Sequence, residues 1–217
     1  MITSTSTPKQ HALRYNAFLG LQEADDLRVQ KQAEFDHLLE NLAEIVANSR
    51  SQRLLGLYLI HKHFDLDVNE INIETTYKKE DGTTAYISQA MEKSDVSDIA
   101  PSSWQIVDSK LIAVDFSTSD YAKEVQASKE VRGHLTAMAA MISAAGFADV
   151  VGPFVNRAEH ITISKDGYMW LERTDLSRRA NILEYRKPDH SLKMVKTGWN
   201  FMNSENVWCP VGPNNCE

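Results

Sequence analysis

Long apolar runs are missing from this sequence. No stretch approaches the roughly 18 consecutive apolar residues that a membrane helix needs, so no spanning helix is expected. Basic blocks are missing too. Lys and Arg number 23 against 30 Asp and Glu, a formal charge of −7, and no Lys/Arg stripe offsets it. An acidic surface repels phosphate backbones, which argues against nucleic acid as a partner and leaves a small anionic ligand as the expected one. Cysteine is scarce. Cys209 and Cys216 are the only two, both close to the C-terminus. Reduced thiols are the default reading for two cysteines in a chain expected in the cytoplasm. Several signature motifs are absent: there is no Gly-x-Gly-x-x-Gly, no Walker loop, no Gly-x-Ser-x-Gly and no His-Glu-x-x-His. The first residues, Met1 to Pro8, lack a basic segment followed by an apolar run, so no secretory signal is read there. That reading gives a cytoplasmic location, with a processed secreted form left open.

What is present suits a globular chain. Hydrophobic residues make up 42% and charged residues 24%, which excludes a wholly disordered chain. A chain of this length buries about 70% of its unfolded surface and needs neither disulfide nor metal merely to fold. Residues 1–12 read as a disordered Ser/Thr-rich tail, and 13–217 as one domain with a loop-rich tail from about 203. Phe35, Leu38, Leu39, Leu42, Ile45 and Val46 recur at three- and four-residue spacing, predicting a helix from about Asp26 to Asn48. A short helix before it could cover Leu13 to Leu21. A second main helix falls within Asp120 to Ala145, ended by Gly146. Leu54 to Phe64 reads as a buried strand. Ile71 to Tyr77 with Thr83 to Ser88, and Trp104 to Val107 with Leu111 to Phe116, read as hairpins across Glu80-Asp81-Gly82 and Asp108-Ser109-Lys110. Further pairs are Ile161–Ser164 with Tyr168–Leu171, and Asn181–Arg186 with Leu192–Phe201. The expected fold class is α+β: a largely antiparallel sheet built from hairpins, packed with two main helices.

Three clusters could carry chemistry. In His61-Lys62-His63, side chains of an extended segment alternate, so the two imidazoles share a face and could hold a divalent metal ion. A third ligand would come from His160, Glu159 or Glu172. Paired histidines can equally serve structure by bonding to neighbouring backbone. In Glu172-Arg173-Thr174-Asp175, at the end of a predicted strand, Glu172 could act as acid or base and Arg173 could bind an anionic substrate. Glu172, Arg173 and His160 are the candidate catalytic residues, and His61 and His63 the candidate metal ligands. A solvated loop of ion pairs is the alternative for the second cluster. Cys209 and Cys216, six residues apart, could close a small disulfide loop or join the histidines at zinc, although the spacing is not the usual one. His134 suits a hydrogen-bonded core histidine. The four tryptophans supply core mass.

The stretch Leu-Leu-Gly-Leu-Tyr-Leu-Ile-His-Lys-His-Phe-Asp-Leu, residues 54–66, resembles a segment found in uncharacterised proteins of filamentous fungi. The helix end Ala-Gly-Phe-Ala-Asp-Val-Val-Gly-Pro and the later Leu-Glu-Arg-Thr are similar in kind. The resemblance implies no activity, fold or cofactor. The His-x-His spacing is also similar to the metal motif of cupins, but the glycine spacing differs and no second glycine-and-histidine motif follows, so that family is not assigned. Two expectations stand: a small-molecule enzyme, metal-dependent through His61 and His63, or a non-catalytic interaction or regulatory protein with structural histidines.

Overall fold

The structure, a computed structural model, describes residues 7–80, 82–157, 167–201 and 207–210. Its centre is a closed barrel of ten strands, in the order β1-β6-β4-β5-β2-β3-β8-β7-β10-β9. The strands are β1 (Leu55–Leu59), β2 (Glu70–Lys78), β3 (Thr84–Glu92), β4 (Ala100–Val107), β5 (Lys110–Ser117), β6 (Val151–Val155), β7 (Met169–Asp175), β8 (Ala180–Arg186), β9 (Met194–Asn200) and β10 (Val207–Pro210). Six α-helices accompany them among the described residues: α1 (Pro8–Asn16), α2 (Leu21–Val29), α3 (Gln32–Val46), α4 (Arg50–Leu54), α5 (Asp120–Ala127) and α6 (Lys129–Ala144).

Local chemistry accounts for the element ends. Thr7 caps α1 in a capping box with Gln10, and Pro8 sits in the first turn, where its missing N–H does no harm. Ser119 and Ser128 accept backbone hydrogen bonds at the starts of α5 and α6. Gly146, at φ +74°, takes the left-handed position just past α6. Asp108 and Ser109 both have positive φ, as the tight β4–β5 hairpin requires.

The helices cover one flank of the barrel. Leu55 and Leu57 of β1, Trp104 and Ile106 of β4, Val151 of β6 and Trp199 of β9 join Phe35, Leu38, Leu42, Leu135, Met138 and Ile142 of α3 and α6 in one buried apolar cluster. Alternation then sends the neighbouring residues, Tyr58 and Phe154, into the barrel. Strands β4 and β6 approach very closely there: a Cβ at Gly152 would lie 2.0 Å from the Trp104 carbonyl oxygen, so only glycine fits. Helix α1 packs elsewhere, placing Ala12 and Tyr15 against Phe64, Leu66 and Val114.

Three irregularities break the alternation. In the β4–β5 ladder the register shifts between Pro101 and Ser103 and again between Ser103 and Trp104, leaving Ser102 on β4 and Val114 on β5 as extra residues. In the β9–β10 ladder the shift between Val207 and Trp208 leaves Thr197 as the extra residue. A bulge lets two consecutive side chains face the same way. Ser102 with Ser103, Val114 with Asp115, and Thr197 with Gly198 accordingly all line the interior.

The expected largely antiparallel sheet with two main helices is corrected by this architecture. The sheet is closed and mixed, with parallel pairs β2–β5 and β7–β10. The β2–β3 and β4–β5 hairpins form as the turn residues suggested. Closure depends on pairings between distant segments, such as β1 with β6 and β9, which no turn signal announces. Strand β8 pairs with β3 and β7, not with 192–201, and the tail from 203 contains strand β10. The Asp26–Asn48 helix is divided into α2 and α3, and the Asp120–Ala145 helix into α5 and α6. Residues 8–12, expected in a disordered tail, belong to α1, and His11 and Ala12 are buried. Ile161–Ser164 lies outside the described residues. No described helix is long and apolar enough to cross a membrane.

Candidate active site in the barrel interior

The barrel encloses a cavity of about 90 Å³ whose walls mix aromatic rings with polar side chains. Asn72 and Glu74 face it from β2, Tyr86 and Ser88 from β3, Glu172 from β7, and Asn181 and Leu183 from β8. Their pairing is direct: Glu74 opposes Ser88, Ser88 opposes Asn181, and Glu172 opposes Leu183. Residues directly opposite in a ladder share a face, so the sheet itself brings this polar set together.

His61 and His63 follow β1 in an extended segment held by Ile60 N–H to the Val150 carbonyl, at 2.8 Å, and Lys62 N–H to the Leu19 carbonyl, at 2.9 Å. Both imidazoles line the cavity and are buried, with ring centroids 4.4 Å apart. His61 Nδ1 lies 2.9 Å from the Leu59 carbonyl oxygen. A carbonyl can only accept, so Nδ1 carries the hydrogen and the lone pair of the neutral ring sits on Nε2. Nε2 is itself buried and finds no hydrogen-bond partner among the described residues. His63 Nδ1 lies 3.1 Å from Thr174 Oγ1, and its Nε2 lies 3.8 Å from Glu172 Oε2. Burial, aided by the neighbouring His61, holds the His63 imidazole well below its ordinary value. Asn181 Nδ2 donates to Glu172 Oε2 at 2.9 Å. No Lys or Arg pairs with Glu172 among the described residues.

A second polar group centres on Asp115. Ser103 Oγ donates to Asp115 Oδ2, and Asn72 Nδ2 donates to Oδ1 at 2.7 Å. Withdrawal from water pushes the Asp115 carboxyl above its ordinary value. The hydrogen bonds from Ser103 and Asn72 oppose this, the Glu74 carboxylate adds to it, and Arg157 opposes it. Burial likewise raises the Tyr58 phenol, beside Ser103 and Asp115, so it stays protonated. Tyr15 also lines the cavity, and burial raises its phenol, with the Asp115 carboxylate adding to the effect.

Arg157 closes the arrangement. Its Nε donates to Glu74 Oε2 at 2.7 Å and its Nη2 pairs with the same oxygen. The guanidinium stands 5.2 Å from the Tyr86 ring centroid and 5.9 Å from that of Phe154. Glu74, Tyr86, Ser102, Val155 and Arg157 line both the cavity and a surface cleft that includes the start of α5, so the ion pair marks the mouth of the interior.

The structure brings His61, His63 and Glu172 together. It places Arg173 elsewhere: as the neighbour of Glu172 on a strand it faces outward, into a groove with Tyr77, Arg178 and Glu184. Arg173 therefore does not share the cavity. His160 lies outside the described residues, as does Glu159. Cys209 is buried and disulfide-bonded, contrary to the reduced-thiol expectation, and Cys216 lies outside the described residues. Cys209 packs in the apolar cluster under the helices, which separates it from the histidines. His134 bonds Ser51 Oγ at 2.7 Å, as a core histidine would. Asp115, Glu74, Arg157, Tyr15 and Tyr58 were not singled out by sequence. The one available signal was Asn72 and Glu74, polar at alternate positions of an otherwise strand-like run. Comparison with protein-family models, with curated proteins and with solved structures gives no match for this chain.

Proposed function

We propose that the chain is a small-molecule enzyme that carries out proton-transfer chemistry inside its barrel. The observation that supports this best is Asp115, a carboxyl raised by its surroundings and aimed by two bulged strands at an enclosed cavity. A carboxyl that holds its proton nearer to neutral pH serves as general acid or base. Ser103 and Asn72 fix its orientation, and Tyr58 supplies a second proton donor beside it. His61, His63 and Glu172 anchor the polar end of the substrate across the cavity.

The cavity also bounds the substrate. Benzene occupies an apolar cavity of about 150 Å³ in another protein, so an interior of about 90 Å³ suits a compact molecule with oxygen functions. The expected anionic partner finds its cation in Arg157 at the mouth, not in Arg173. Burying this many polar groups opposes stability, so their presence is better explained by chemistry than by folding.

The test is turnover. The purified chain and an Asp115→Asn variant are incubated with a metabolite extract, and products are followed by mass spectrometry. The reading expects a compact, oxygen-rich compound converted by the wild type and at least about 100-fold more slowly by the variant, the usual scale for loss of a general acid or base. Compounds retained without conversion would favour a binding protein instead.

A further inference from the structure

We propose that His61, His63 and Glu172 form the binding site of a divalent first-row transition metal. This deepens the proposed function, since it rests on the barrel interior being the active site. Three ligand atoms, one from each residue, already lie within 4.8 Å of one another. A metal with bonds near 2.1 Å sets its ligands about 3.4 Å apart in a tetrahedral site, so closure asks each atom to move by at most about 0.8 Å.

The supporting contacts point the same way. A metal-binding histidine commonly has its second ring nitrogen engaged by a carbonyl, a carboxylate or another polar group, which fixes the ring. Leu59 O does this for His61 and Thr174 Oγ1 for His63. Asn181 Nδ2 does the equivalent for the carboxylate. Both Nε2 atoms are thereby left for the cavity side. His61 Nε2 is buried without a hydrogen-bond partner among the described residues, on a ring that is 6% exposed, and a lone pair in that position is matched by a cation. Glu172, 7% exposed, has no Lys or Arg counter-charge among the described residues. Buried carboxylates are ordinarily paired or coordinate metals.

The donor set chooses the metal. Two imidazole nitrogens and one carboxylate oxygen suit Zn, Fe or Mn in the divalent state, and two nitrogens disfavour Mg²⁺ and Ca²⁺, which take oxygen ligands. Three protein ligands leave coordination positions open toward the cavity, the arrangement of a catalytic rather than a structural site. A substrate oxygen bound there would face Asp115 across the interior.

The full chain, stripped with a chelator, is titrated with Co²⁺ and Zn²⁺ by calorimetry, with the visible absorption of Co²⁺ as a second readout. One equivalent should bind, with a nitrogen- and oxygen-type Co²⁺ spectrum, and excess Mg²⁺ should not compete. His63→Gln and Glu172→Gln should each weaken binding at least about 10-fold. If either variant fails to fold by circular dichroism, X-ray absorption on the Co²⁺-loaded wild type decides, and should show two imidazoles in the first shell. No stoichiometric binding, sulfur in the shell, or unaltered affinity in folded variants overturns the proposal. Absent metal binding with Asp115-dependent conversion intact would remove the metal alone; metal binding without any conversion would remove the enzyme reading alone.

Discussion

The two faces of strand β1 are made of opposite materials. Leu55 and Leu57 look outward into the apolar cluster beneath α3 and α6, while Tyr58 looks inward at Ser103 and Asp115. The same division runs through β4 and β6. The larger apolar cluster thus lies outside the wall, whereas a small filled barrel keeps its core inside. The interior is mixed: Tyr86, Trp170, Leu183, Tyr185 and Val207 form a smaller cluster beside the polar groups. Buried imidazoles, a raised carboxyl and an ion pair are tolerable there because most of the apolar burial lies on the other side of the wall.

The comparison breaks first if the outer face is not what holds the molecule together. Phe35 is fully buried, with ring centroids 5.4 Å from Phe147 and 5.0 Å from Trp199. Phe35→Ala should lower unfolding stability by about 4 kcal/mol in a denaturant titration, with the cavity residues untouched. A loss under about 1 kcal/mol would place the principal core elsewhere.

Acid sharpens the comparison next, through a buried histidine that does not line the cavity. His11 on α1 is held down to about 4, chiefly by burial, with Arg14 adding to the effect and a hydrogen bond to the Ala113 backbone opposing it. Its folded value lies below its unfolded one, so the unfolded chain binds the extra proton. The stability that His11 contributes is therefore present above about pH 6.5 and falls away as pH drops toward 4. A shift of this size corresponds to about 3 kcal/mol. Unfolding midpoints measured from pH 7 to 4 should show this loss, and His11→Gln should flatten it. An unchanged slope in that variant would assign the acid sensitivity to other groups.

The local hairpins could be read from the sequence, but the closed barrel and most of its interior could not. Alternation and turn residues located β2, β3, β4 and β5, and put His61 with His63 on one face. The strand expected at Tyr168–Leu171 runs on to Asp175, and alternation along that extension separates Arg173 from Glu172. Asp115 was hidden by a different effect. Counting by twos from Leu111 and Ala113 puts Asp115 on the outer apolar face; the extra residue Val114 turns it inward. A bulge of this kind is set by the partner strand and leaves no mark in the local pattern. Asn72 and Glu74 gave no sign of a site by themselves because a polar stripe looks the same whether it faces bulk water or an enclosed interior. Only closure of the barrel, through the β1–β9 and β2–β5 pairings, distinguishes the two.

The most direct test is the thermal unfolding of Glu172→Gln with and without Zn²⁺. In the metal-free state the variant should unfold within about 1 kcal/mol of the wild type, because Gln keeps an oxygen for Asn181 and removes a buried charge that lacks a Lys or Arg partner among the described residues. Zn²⁺ should raise the wild-type midpoint and leave that of the variant nearly unmoved. A metal-free variant as unstable as Phe35→Ala, or one that Zn²⁺ stabilises as much as the wild type, would contradict the division of labour between the two faces of the wall.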